Sequence, residues 1–200
     1  MRIQAVVWDY GGVLVRTENI RPREKLAQSL QTSLEELTYF MFNSPNASKA
    51  MRGEILAANH WQELGSKFGM DGDQLRDSFF AGDELDKELI SFIRGLRPDF
   101  KTALLSNAFD TLRNHLVHVR KIADVFDEIL ISAEEKMVKP DEKIYKLMLS
   151  RLHVQAEETI FIDDFVENVD AAGRIGINAI LFESREQTLS DLSETLDRKS

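Results

Sequence analysis

The chain has 200 residues, 43% hydrophobic and 30% charged, a globular composition that suits one domain or a core carrying a smaller inserted module. It contains no cysteine, which closes disulfide, zinc-thiolate and thiol-nucleophile readings, and its formal net charge of −9 opposes binding to a phosphate backbone, so no nucleic-acid partner is expected. No apolar stretch is long enough to span a bilayer and no secretory signal pattern opens the chain, so the expectation is a cytoplasmic protein with no membrane partner, monomeric by default.

Ala5-Val6-Val7-Trp8 is an unbroken apolar run, which predicts a short strand buried on both faces of a parallel sheet. Asp9 follows at once, and Gly11-Gly12 behind it allow a tight turn. Ligands bind at the carboxyl ends of strands in open parallel sheets, which makes Asp9 the first candidate for chemistry. From about Thr17 to Arg97 apolar residues recur at helical spacing, as in Leu34, Leu37, Phe40, Met41 and in Trp61, Leu64, Phe68; Ser33 with Glu36 resembles a capping box. Residues 17–97 therefore read as an all-helical module standing over Asp9.

Past Pro98 strands alternate with helices. The strands are expected at Thr102 to Leu105, Glu128 to Ile131, Thr159 to Ile162 and Ala179 to Phe182. Helices are expected from about Thr111 to Lys121, from Pro140 in a first turn to about Leu152, through Ala171, and at the C-terminus. The fold class is thus α/β, a Rossmann-like parallel sheet flanked by helices, with residues 1–16 and 98–200 as the core and 17–97 as the insert. Four strands end in polar residues, Asp9, Ser106-Asn107, Ser132 and Asp163-Asp164, and right-handed crossovers bring those ends to one edge.

A carboxylate nucleophile, an acidic pair, small hydroxyl and amide donors and a lysine form a set suited to phosphoryl transfer. Magnesium favours oxygen ligands, which Asp9 and Asp164 could supply, while Lys139 would neutralise charge and Ser106 and Asn107 would orient oxygens of the transferring group. Other readings compete at several positions. Asp163-Asp164 also suits a helix N-terminus, Lys136 competes with Lys139, and Arg52 and Glu54 fit a solvated helix end as well as a substrate contact. His115 and His118 read as exposed helix surface, and Trp8 as packing.

Asp9-Tyr10-Gly11-Gly12-Val13-Leu14, Leu105-Ser106-Asn107, Lys139-Pro140 and Phe161-Ile162-Asp163-Asp164 resemble, in order and spacing, the four motifs of the haloacid dehalogenase (HAD) superfamily. The insert resembles that family's small helical cap, and Gly11 with Arg52-Gly53-Glu54-Ile55 is similar to the branch containing the alpha-glucose-1-phosphate phosphatases. The resemblance implies a Mg2+-dependent phosphatase of a small phosphorylated metabolite, with sugar phosphates a possibility, acting through an aspartyl-phosphate on Asp9. It implies Asp9, Gly11 through its carbonyl, and Asp164 as metal ligands, with Asp163 a ligand through water and the reverse order of the pair left open. It implies Ser106, Asn107 and Lys139 as phosphoryl-binding groups, with Gly12 and Arg52 toward the substrate.

One departure stands out. Most phosphatases of the superfamily carry a second Asp two residues after the nucleophile, as general acid and base, and here that position is Gly11. Loss of such a group, worth about 10²-fold to 10⁴-fold, points to a substrate with a comparatively acidic leaving oxygen, such as a sugar 1-phosphate. The alternatives are a metal-independent 2-haloacid dehalogenase, which also lacks the second Asp, and a catalytically weak binding module.

Overall fold

The computed structural model describes residues 2–198; residue 1 and residues 199–200, the ends of the expected core, lie outside the described residues. Strand β1 (Ala5–Trp8) is the centre of a five-stranded sheet. Its neighbours are β4 (Lys101–Ser106) on one side and β6 (Thr159–Asp163) on the other, both parallel to it. Outside these lie β5 (Glu128–Ile131) against β4 and β7 (Asn178–Leu181) against β6, also parallel. The order β5-β4-β1-β6-β7 reverses direction at β1, so the crevice expected at such a switch point opens beyond Trp8, where Asp9 stands.

Alternation along the strands builds a layer on each face. Ala5 and Val7 cluster with Ala103, Leu105 and Phe161, under Tyr145 and Met148 of the helix Glu142–Leu152 and Ala171 and Ala172 of the helix Val166–Arg174. Val6 and Trp8 face the other way, with Leu104, Ile160, Ile162 and Leu192 of the terminal helix Arg185–Arg198. Burial of both faces is why these strands read as continuous apolar runs.

Between β1 and β4 the chain leaves the sheet. Strands β2 (Val15–Thr17) and β3 (Asp83–Leu85) pair antiparallel as a stem. The helices α1 (Arg21–Ser29), α2 (Leu34–Phe42), α3 (Pro45–Met51), α4 (Ala57–Phe68) and α5 (Gly72–Phe80) rise between them. Leu37, Met41, Trp61, Leu75 and Phe79 give these helices a hydrophobic cluster separate from those of the sheet. The stem differs from the all-helical expectation; strands of three residues are too short to show an alternating pattern. Ser33 does cap α2, accepting from the Glu36 N–H at 3.0 Å, but the Glu36 carboxylate accepts from the Thr32 hydroxyl at 2.7 Å, outside the reciprocal box.

The helix α6 (Lys87–Leu96) is capped by Asp86, which accepts from the Leu89 N–H at 2.8 Å. Its Leu89, Ile90 and Ile93 enter the cluster of Val6 and Trp8, whereas the sequence reading grouped residues 87–96 with the insert. Helical periodicity alone does not say which surface an apolar stripe meets, and we propose that the insert ends before α6. Asp86 also holds Arg16 Nη2 at 2.8 Å and Arg185 Nη1 at 3.0 Å, tying the stem, α6 and the terminal helix together.

After β4, α7 (Leu112–Asn114) runs on as a π-helical turn, His115–Val119, and β5 leads into α8 (Ser132–Glu135). Pro140 is not in the first turn of the next helix: Asp141 caps that helix, α9 (Glu142–Leu152), accepting from the Lys143 N–H at 3.0 Å, and Pro140 precedes the cap after a cis Lys139-Pro140 bond. The remaining helices are α10 (Val166–Arg174) and α11 (Arg185–Arg198). Among the described residues no helix is long and apolar enough to cross a membrane.

The insert is seated on the sheet's carboxyl edge by the loop after β4 and by the start of α8, which follows β5. The Ser132 hydroxyl donates to the Met51 carbonyl at 2.7 Å and accepts from the Ala108 N–H at 3.0 Å. Gly53, at φ +64°, packs so closely that a Cβ there would lie 2.0 Å from the Ala133 carbonyl oxygen. Asp110 Oδ1 accepts from the Ala57 N–H at 3.2 Å, and the Phe109 ring centre lies 5.2 Å from His60 and 5.6 Å from Trp61. Ile93, fully buried against the sheet, tests the assignment of α6: Ile93→Ala is expected to lower the unfolding free energy by about 2–5 kcal/mol in denaturant titration. A loss under about 1 kcal/mol would show that α6 packs elsewhere.

Candidate active site

Asp9 follows β1 directly, with its N–H donated to Ile162 O of β6 at 2.9 Å, so the sheet's own hydrogen bonding fixes where the carboxylate stands. The residue is 6% exposed. Lys139, from the loop between α8 and α9, reaches the same point and is buried. Its ammonium donates to Asp163 Oδ2 at 2.6 Å and to Leu105 O at 2.9 Å, and lies 2.8 Å from Asp9 Oδ1. One buried ammonium is thus shared between the carboxylates of Asp9 and Asp163. Lys136, the sequence-level competitor, is exposed on the αL residue that ends α8.

Asp163 is saturated. Besides the lysine, it accepts the Phe165 N–H at 2.8 Å on Oδ1, and Asn168 Nδ2 donates to its two oxygens at 2.9 and 3.1 Å. Asp164 is different: it is half-buried, and its enclosed Oδ1 has no partner. Gly12, at φ +83°, lets the turn after Asp9 pass against this carboxylate, where a Cβ would lie 2.0 Å from Asp164 Oδ2. The Gly12 N–H is itself used inside the turn, on Val15 O at 2.9 Å.

Burial is the largest influence on Asp9 and pushes its pKa up to about 6; Lys139 pulls it down and Asp163 pushes it further up. Burial works against the Lys139 ammonium, but Asp9 and Asp163 outweigh it and raise its pKa, so it stays charged. Asp164 is raised by burial and then by Asp163.

Ser106 is buried at the end of β4, beside β1 in the sheet. Asn107 is positioned differently from the expectation. Its Nδ2 donates to Lys139 O at 2.9 Å and its Oδ1 accepts from the Lys139 N–H at 2.8 Å, so both ends of the amide hold the lysine's backbone rather than pointing to a ligand. Gly11 is exposed, and nothing lies within 4 Å of the place its Cβ would take. Arg52 is exposed and paired with Glu54 at 3.2 Å, outside the carboxylate cluster. Ser132 serves the seating of the insert. Asn168 and Tyr145, whose hydroxyl donates to the Asn168 carbonyl at 3.1 Å, were missed from the sequence. The available signal was spacing: Asn168 lies one turn into the helix that follows Asp163-Asp164, close enough to reach back.

One carboxylate oxygen from each of Asp9, Asp163 and Asp164 falls within a common 4.8 Å. Asp164 Oδ1 is enclosed and without a hydrogen-bond partner, and a cluster of hard oxygen donors of this kind fits a divalent cation such as Mg2+.

Residues 3–176 match the family model for haloacid dehalogenase-like hydrolases. The chain is similar to sesquiterpene phosphatase astK of Aspergillus oryzae, 29% identical over 178 residues that cover 87% of each chain. It is also 27% identical over 210 residues to acyl-CoA dehydrogenase family member 10 of Mus musculus, covering 96% of this chain but only 19% of that longer protein. Its fold is like that of a HAD family enzyme from Bacteroides thetaiotaomicron, solved in complex with magnesium and inorganic phosphate, with TM-score 0.77, 23% identity and coverage of 92% and 96% of the two chains.

The raised pKa of Asp9 carries a pH signature. Its folded-state value, about 6, lies above the ordinary 3.8, so folding disfavours the ionised form and stability falls as pH rises between those values. With divalent cations chelated, Asp9→Asn is expected to stabilise the protein by on the order of 2 kcal/mol at pH 8 and by much less at pH 4 in urea titrations. Equal effects at both pH values would contradict the reading.

Proposed function

The chain belongs to the haloacid dehalogenase-like hydrolases, and on that basis we propose that it is a Mg2+-dependent phosphatase acting on a small phosphorylated metabolite through an aspartyl-phosphate on Asp9. The observation that carries the proposal is the cluster of buried Asp9, Lys139 and Asp163 with half-buried Asp164 at the sheet's switch point. The phosphatase relative and the magnesium and phosphate bound to the Bacteroides enzyme support it. A metal-independent dehalogenase gains nothing from extra carboxylates beside an anionic substrate, which disfavours that alternative.

Asp9 and Asp164 would hold the cation directly and Gly11 through its carbonyl, whereas Asp163, expected as a ligand through water, has both oxygens engaged by Lys139, Asn168 and the Phe165 N–H and would orient the lysine instead. Bound there, Mg2+ supplies positive charge against the carboxylates and the phosphoryl oxygens. With a pKa of about 6, Asp9 is mostly ionised near neutral pH. Its oxygen attacks phosphorus as the bond to the leaving oxygen breaks; water then attacks the acyl phosphate at phosphorus, releasing phosphate and restoring the carboxylate. The Lys139 ammonium and the Ser106 hydroxyl hold phosphoryl oxygens as charge shifts onto them, while Asn107 fixes Lys139 from behind.

The leaving oxygen must find its proton in solvent, because position 11 offers no carboxyl group. We place the enzyme in the cytoplasm.

Phosphate release from sugar and aryl phosphates is expected to require Mg2+ and to fall at least about 10³-fold in Asp9→Asn. Space at Gly11 admits a side chain, so Gly11→Asp is expected to raise rates on poor leaving groups by up to about 10²-fold and on aryl phosphates much less. Mg2+-independent release, or a rate untouched by Asp9→Asn, would sink the proposal.

A further inference from the structure

The two residues that follow the acidic pair are Phe165 and Val166, and both are exposed, at 59% and 53%. Large apolar side chains at a helix start normally turn inward, yet here the backbone is committed: the Phe165 N–H donates to Asp163 Oδ1 at 2.8 Å. That bond fixes the ring's root beside the phosphoryl site, at the carboxyl end of β6. Across β1, on the β4 and β5 side, the insert comes down onto the sheet edge at Gly53 and Ala57, and between these two seated residues Leu56 is 62% exposed. Neither the lysine of the site nor the arginine expected from the insert offers much to a second anionic group. Lys139 is buried between Asp9 and Asp163, and Arg52 is paired with Glu54.

A phosphoryl group on Asp9 fills the polar floor, so the group it is transferred from must project away from the sheet, past the edge that carries Phe165. On the basis of the phosphatase reading, we propose that Phe165 is a specificity-determining residue that, with Val166 and Leu56, receives an apolar leaving group, so that the substrate class is monoesters of hydrocarbon alcohols rather than sugars. A sugar would set hydroxyls against these side chains and leave them without hydrogen-bond partners. A hydrocarbon gains from the same surface by leaving water. The open space over Gly11 leaves room for the group to pass.

The test compares hexyl phosphate with ethyl phosphate in Mg2+, with p-nitrophenyl phosphate as the probe of the phosphatase reading itself. Simple alkyl alcohols have similar acidities, so the ratio of the two kcat/KM values reads contacts to the chain and not leaving-group chemistry. Each fully buried methylene is worth about 4-fold, and partial burial of the four extra ones should favour hexyl phosphate by at least about 10-fold. Phe165→Asn is expected to cut that ratio to within about 2-fold of unity. Any fraction of misfolded enzyme lowers both rates together and leaves the ratio unaffected. Release from p-nitrophenyl phosphate with no release from either alkyl ester, with a flat wild-type ratio, or with a ratio that survives Phe165→Asn, overturns the apolar leaving group and leaves the phosphatase standing. No release from any of the three esters overturns both.

Discussion

A single buried ammonium among carboxylates governs this protein. Lys139 and the side chains of Asp9 and Asp163 are almost wholly shielded from water, and an uncompensated charge there would cost several kcal/mol. The surroundings act together to hold that nitrogen in place. Asn107 grips the lysine's main chain from both sides, Leu105 supplies a carbonyl, and Asn168 and the Phe165 N–H keep Asp163 turned toward it. Tyr145 steadies the helix turn that carries Asn168 and packs edge-on against Phe161, whose ring lies below the ammonium at 5.5 Å. The polar site and the hydrophobic layer under it are therefore one construction: shifting α9 or α10 would shift the charges.

The division of labour between Asp163 and Asp164 follows from their neighbours. Adjacent residues after a strand point in different directions, so one enters the protein and the other faces the crevice. Asp163 finds three kinds of donor and is fully satisfied, whereas Asp164 keeps an enclosed oxygen without a partner. The first organises the site and the second is free to hold something brought to it.

Most of the sheet was legible because parallel strands covered on both faces are written as apolar runs, and a polar residue after each run marks its carboxyl end. What stayed hidden depended on partners that no local pattern encodes. Three-residue stem strands carry no period, and the apolar stripe of α6 looks the same whether it meets the insert or the sheet. Asn107 reads as a ligand donor until the fold brings the backbone of Lys139 within reach of both ends of its amide. Arg52 suits a solvated helix end as well as a substrate contact, and in the fold it pairs with Glu54 two residues on. Asn168 had a usable signal, one helical turn beyond an acidic pair, yet a polar residue in that place is ordinary in any exposed helix start.

The seat of the insert has a consequence for how such a protein can change. The contact at Met51 uses a main-chain carbonyl, the one at Gly53 uses the lack of a side chain, and the one at Ala57 uses a main-chain N–H. Apart from the packing of His60 and Trp61 on Phe109, these contacts draw little from side chains of the insert, so residues facing the crevice can be exchanged without loosening the joint. Diversification of the surface over Asp9 is mechanically uncoupled from attachment, and a single glycine is the point at which that freedom ends.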